Sequence, residues 1–220
     1  MIFTYKLIEN LLDINENSQD LIFQKAKILN KMKKYMDSIS ILKKIPACEQ
    51  LDFFIQDLLL KNYMNVEDYH NAIKILIKIL SIYPDDKNYF DKLISCFNLS
   101  EKEDDAIDFL NTYLEKNPYS ANAWYEIGKL YFNKNKIKES IAAHEFGIIS
   151  DESFSSCYIE LGKIYEKQED YKKSIYYYKI VKNLNKESSF SLYRLSKCYE
   201  KVGDYDNALK YLNIIIEKDP

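Results

Sequence analysis

The chain has 220 residues, of which 47% are apolar and 30% charged, and a formal net charge of -3. That balance excludes a disordered chain, and a small, mixed charge without a basic tail or acidic block argues against nucleic acid as a partner. Its basic residues are almost all lysine: Arg194 is the only arginine, the side chain that grips phosphates and base edges bidentately.

Residues 1–18, MIFTYKLIENLLDINENS, open with an apolar run broken by Lys6, Glu9 and Asp13. No small-residue cleavage site follows, so the segment does not read as a secretory signal. No window approaches eighteen uncharged apolar residues, which predicts no membrane span. The four cysteines, Cys48, Cys96, Cys157 and Cys198, form no C-x-x-C pair and lie in apolar helical surroundings. They read as reduced, mostly buried thiols of a cytoplasmic protein.

From Gln19 onward the chain repeats itself. Gly128 to Gly162 is a step of 34 residues, and a further 34 reaches Ser196. The aromatic residue three places on keeps the same step through Tyr63, Phe97, Tyr131, Tyr165 and Tyr199, with Leu29 in the first copy. Twelve residues after the glycine site all copies carry a small residue: Ser38, Ala72, Ala106, Ser140, Ser174 and Ala208. Pro84, Pro118 and Pro220 share one phase. A fixed period held this long predicts stacked supersecondary units.

Six units follow in chain order, at 19–52, 53–86, 87–120, 121–154, 155–188 and 189–220, and each reads as two helices. In the fourth, Trp124, Ile127, Leu130 and Tyr131 mark the first helix, and Ile137, Ile141 and Ile148 the second, near a 3.6-residue period. The polar breaks NKNK, KQED and KVGD separate such pairs, and the proline closes the second helix. Thr4, Ile8 and Leu11 stand in phase with a second helix, so residues 1–18 read as a half unit. The first unit, with Lys25 at an apolar place, is the least regular.

The run W-x2-I-G-x2-Y at Trp124–Tyr131, the small residue twelve places on and the phased prolines resemble the tetratricopeptide repeat over about nine tenths of the chain. The resemblance implies an all-α solenoid, a right-handed superhelix of 34-residue helix-turn-helix units. More loosely, the fourth to sixth units are similar to cytoplasmic tetratricopeptide proteins of Bacteroidetes-type bacteria. Gly128 then reads as a packing device that lets two helices cross closely, and a leucine there would overpack the crossing by about 1–3 kcal/mol. Leu60 and Ile94 depart from the small residue at this place, and His144 stands where a large apolar or aromatic residue is usual.

Catalytic chemistry finds little support. His70 and His144 are the only histidines and have no partner at metal spacing. No nucleophile elbow, Walker loop or dinucleotide fingerprint occurs, and neither cofactor nor metal is implied. The expected function is therefore that of a protein-interaction scaffold rather than an enzyme. Alternatives are a regulatory or targeting arm of a larger enzyme, and a self-associating array.

In the tetratricopeptide family, first helices line a concave groove that holds peptides through places two, five, nine, twelve and thirteen. Carried over, the ninth place gives Lys27, Lys61, Ser95, Lys129, Lys163 and Lys197. With Tyr125, Phe132 and Tyr193, Lys61, Lys129, Lys163 and Lys197 form the candidate groove, suited to a segment with acidic and apolar residues. The plainer reading is a solvated set in a lysine-rich chain: Asp57 and Lys61, Glu126 and Lys129, and Glu160 and Lys163 are spaced for pairing within a helix. The carboxylate clamp of chaperone-binding members would need Lys at the fifth place and Asn at the ninth, a pair that no unit has. At the other end, the chain stops at the close of a unit with Leu212, Ile215 and Ile216 uncovered, which favours a piece of a longer protein over stacking on another molecule.

Overall fold

The computed structural model describes residues 18–46, 52–84, 86–184 and 188–218. Among them every regular element is an α-helix. The helices are α1 (Gln19–Lys31), α2 (Tyr35–Leu42), α3 (Asp52–Asn65), α4 (Tyr69–Ile82), α5 (Lys87–Leu99), α6 (Glu103–Lys116), α7 (Ala121–Asn133), α8 (Ile137–Ser150), α9 (Ser155–Lys167), α10 (Tyr171–Asn183), α11 (Ser189–Lys201) and α12 (Tyr205–Lys218). They fall into two compact units, residues 1–103 and 104–220. Residues 1–17, Cys48 and Pro220 lie outside the described residues.

Local chemistry sets the helix starts. Ser18, Asp86, Ser120 and Ser188 each accept a hydrogen bond from a backbone N–H of the first turn. Asp68, Asp170 and Asp204 cap second helices in the same way, accepting from Asn71, Lys173 and Asn207. These acceptors satisfy donors that a helix cannot pair within itself.

The turn inside every unit is a left-handed helix stop. Lys33, Glu67, Glu101, Asn135, Glu169 and Gly203 all have positive φ, between 55° and 79°. One residue on, the N–H of Lys34, Asp68, Lys102, Lys136, Asp170 or Asp204 donates back to the carbonyl of Leu29, Tyr63, Phe97, Tyr131, Tyr165 or Tyr199. This is the Schellman arrangement, which folds the second helix back on the first. Five of the six copies carry a side chain where glycine is least strained, and of those five only Asn135 is a residue type that favours this backbone.

Within each unit of the structure, first and second helices pack in pairs, and each second helix also packs on the first helix of the next pair: α2 on α3 and α4 on α5 in one, α8 on α9 and α10 on α11 in the other. The space beside Gly128 is filled by a ring, not by an opposing backbone. A Cβ there would stand 2.6 Å from His144 Cε1, and one on Gly162 would stand 2.8 Å from Tyr178 Cε1. The small residue twelve places on ties the pair: Ser140 and Ser174 donate to the carbonyls of Gly128 and Gly162 at 2.7 and 2.9 Å. Ser38 does the same to Ala26 at 2.8 Å.

Both structural units bury polar groups in contact. In the first, Asn62 donates to Ser38 Oγ at 2.8 Å and accepts from Asn30 Nδ2 at 2.7 Å, which links α1, α2 and α3. In the second, Ser174 meets Cys198 Sγ at 3.2 Å, beside a core of Tyr178, Leu192, Leu195 and Tyr211. Cys96, Cys157 and Cys198 are buried free thiols. Burial pushes each of them above the ordinary thiol range, Cys157 to about 12, which keeps them protonated and inert.

Two predictions follow from this packing. Glu169→Gly removes left-handed strain and should raise stability by roughly 0.5–1 kcal/mol, while Gly203→Ala should lower it by a similar amount; thermal melts that move both variants in one direction would refute the strain account. Gly128→Ala should destabilise although alanine is the better helix former by about 1 kcal/mol. Adding His144→Ala should recover part of the loss, and a strictly additive double-mutant cycle would count against the ring contact.

Candidate protein-binding site

The candidate residues lie on first helices. Lys27 and Lys61 belong to the first structural unit, and Lys129, Lys163 and Lys197 to the second. No described helix is long and apolar enough to cross a membrane.

In the second unit, side chains join α7, α9 and α11 into one surface. Lys167 Nζ of α9 lies 4.7 Å from the ring centre of Phe132 on α7. Lys163 Nζ lies 5.3 Å from the ring centre of Phe190 on α11, and Arg194 Nη2 reaches back 2.9 Å to Glu166 on α9. These contacts bring Lys129, Phe132, Lys163, Tyr193 and Lys197 onto the same row of helices.

Each lysine of the row is engaged twice. Lys129 pairs with Glu126 at 3.0 Å and sits 4.9 Å above Tyr125. Lys163 pairs with Glu160 at 2.8 Å, and Lys197 pairs with Glu200 at 2.8 Å while lying 5.9 Å from the Tyr193 ring. In the first unit Lys61 pairs with Asp57 at 2.7 Å. The three pairs read from spacing are therefore present; the Lys197 pair and the rings under the lysines went unread. The exposed Lys61–Asp57 pair is worth about 0–1 kcal/mol, and Lys197–Glu200 is exposed as well. In the partly buried Lys129 and Lys163 pairs the lysine side chains, 40% and 35% exposed, stay open to a competing carboxylate.

The rings differ in what they offer. Phe190 and Tyr193 are 49% and 46% exposed. Tyr125 is half-buried, edge-on to Phe154 at 5.8 Å, and burial followed by the charge of Glu160 raises its hydroxyl to about 12. Phe23, at the fifth place of the first repeat, is buried and so belongs to the core. Trp124 faces elsewhere: its Nε1 donates to Pro118 O at 2.7 Å and its ring stacks on Phe146 at 4.8 Å.

Beneath Tyr125 lies His144, 1% exposed, with ring centres 6.0 Å apart and no hydrogen-bond partner for Nδ1. It occupies a core place, as an imidazole packed on Gly128 should.

Two tetratricopeptide repeat family models match the sequence, one over 57–86, 121–144 and 155–187 and the other over 190–220, together more than half of the chain. The chain belongs to the tetratricopeptide repeat family. A search of curated proteins gives no match. Solved structures share the fold: the MamA protein is 23% identical with a TM-score of 0.61, over 76% of this chain and 91% of that one. A tetratricopeptide repeat protein from Parabacteroides merdae is 13% identical with a TM-score of 0.61, over 92% and 80%. YrrB, described as a tetratricopeptide protein with an unusual peptide-binding site, is 14% identical with a TM-score of 0.50, over 94% and 97%. The tetratricopeptide repeat is a protein-interaction scaffold.

Burial, then the charges of Lys129 and Lys163, lowers the His144 pKa to about 4. A histidine that takes up its proton only when unfolded withdraws stability as pH falls below the unfolded value near 6.5, at about 1.4 kcal/mol per pH unit until the folded pKa is reached. His144→Phe fits the place that Tyr178 fills beside Gly162, and should flatten that loss. Between pH 7 and 5.5 the variant should gain roughly 1 kcal/mol on the wild type in denaturant unfolding; parallel pH curves would show that His144 is not buried neutral.

Proposed function

We propose that α7, α9 and α11 of the second structural unit hold an extended segment of a partner protein that carries acidic and apolar residues. The observation that supports this most is the recurrence of a lysine at the same place of three successive first helices, each beside an aromatic ring and a displaceable acid. The lysines supply attraction and orientation, and Tyr125, Phe132 and Tyr193 supply contact area. Lys61, paired with Asp57, is the counterpart of these lysines in the first unit. YrrB, on the same fold, is described as having an unusual peptide-binding site.

A second reading, self-association, draws on α12. Leu209 and Ile216 are 59% and 64% exposed, whereas Ile73 and Leu80 at the equivalent places of α4 are buried. A second copy laid on that face would cover them. A mass in solution that does not change with concentration counts against it.

The binding reading is tested with Lys129→Glu/Lys163→Glu/Lys197→Glu, three surface changes that should leave the helical melt unchanged. A partner captured by the wild type should bind the variant at least tenfold more weakly, and its binding to the wild type should weaken with salt. Equal affinity for both proteins would move the binding surface off this face.

A further inference from the structure

The densest meeting of charge and exposed ring on this face is centred on a residue that the lysine pattern does not include. Phe190, 49% exposed, has Lys163 Nζ 5.3 Å from its ring centre and Arg194 Cζ 5.9 Å from it. Lys163 comes from α9, while Phe190 and Arg194 lie on α11, so the ring is gripped across neighbouring repeats. Arg194 is held by Glu166 at 2.9 Å, and Glu166 also accepts from Tyr178 at 3.5 Å, the ring that packs on Gly162. The core thus fixes the position of this cation. Arg194 Nε is buried and has no partner.

We infer that Phe190, between Lys163 and Arg194, is the anchor of the face and receives a carboxylate side chain with an apolar residue beside it, presented by an extended segment of a partner protein. This rests on the binding reading above. An aromatic ring is negative over its faces and positive at its edge. The cations that sit near Phe190 therefore leave its edge as the place where an anion meets favourable charge. The carboxylate would exchange with Glu160 for Lys163, whose side chain is 35% exposed and open to a competing acid. The neighbouring apolar residue would cover the exposed rings of Phe190 and Tyr193, 46% exposed. Aromatic residues and arginine, once a partner covers them, are also the residues that tend to dominate binding energy at protein interfaces.

The test uses four fluorescein-labelled decapeptides on a glycine-serine background, with two copies of Asp-Phe, Asn-Phe, Lys-Phe or Asp-Ser. Anisotropy titrations of the full chain should rank Asp-Phe first, with the other three at least tenfold weaker. Phe190→Ser, at a half-exposed position that should leave the melt unchanged, should bring all four to similar weak binding. Arg194→Lys keeps the charge but loses the planar group, and should weaken Asp-Phe at least threefold. Asp-Phe binding undiminished by Phe190→Ser, equal binding of the four peptides to the wild type, or no binding of any would overturn the anchor. The binding reading would survive each of these if the triple lysine variant still lost the captured partner, and would fall separately if it did not.

Discussion

Everything on the candidate face depends on the volume available where the two helices of a repeat cross. A helix pair can approach only as far as the larger of two facing groups allows, and the sequence shares that volume between the eighth and twenty-fourth places of each repeat. Where the eighth is Gly128 or Gly162, the twenty-fourth is a ring, His144 or Tyr178. Where the eighth is Ala26 the twenty-fourth is Leu42, both buried; Leu60 with Leu76, also buried, fills more space at the eighth place and is the exception. Cores tolerate exchanges that conserve volume far better than those that add to it. The glycine is thus the consequence of a ring placed sixteen residues later, and the helix propensity it forgoes is offset by that ring's burial.

The period made the architecture legible, because a core place repeated six times identifies itself by comparison. The same comparison explains what stayed hidden. Lys33, Glu67, Glu101 and Glu169 take left-handed backbone, yet nothing in a lysine or glutamate asks for it. Only Gly203 and Asn135, at the same place in other copies, carry that signal. Asn62 could not be read as buried, since its partners Asn30 and Ser38 lie 32 and 24 residues away. Spacing along one helix revealed the Glu126–Lys129 and Glu160–Lys163 pairs, but contacts between repeats, such as Arg194 with Glu166, have no local pattern.

The candidate face was legible to the same limited degree. Its places came from the family's geometry, and the lysines do occur there in phase. Their surroundings came only with the structure: an acid on one side and a ring beneath. That arrangement changes what the row can do. Free lysines would make a strongly positive strip that draws any acidic polymer. Paired lysines present little net field, so discrimination falls to contacts made after the acids have been displaced.

Displacement is where the two kinds of cation part company. A lysine ammonium on a flexible stem exchanges one carboxylate for another at little cost, and gains little by it. Arg194 is different because Glu166 and Tyr178 hold it from the core side, so its planar group is already oriented before any partner arrives. Ordering that has been completed during folding need not be repeated on binding. A face of exchangeable lysines around one fixed arginine would therefore separate its tasks along the helix row, the lysines governing approach and the arginine, with Phe190, governing which segment stays.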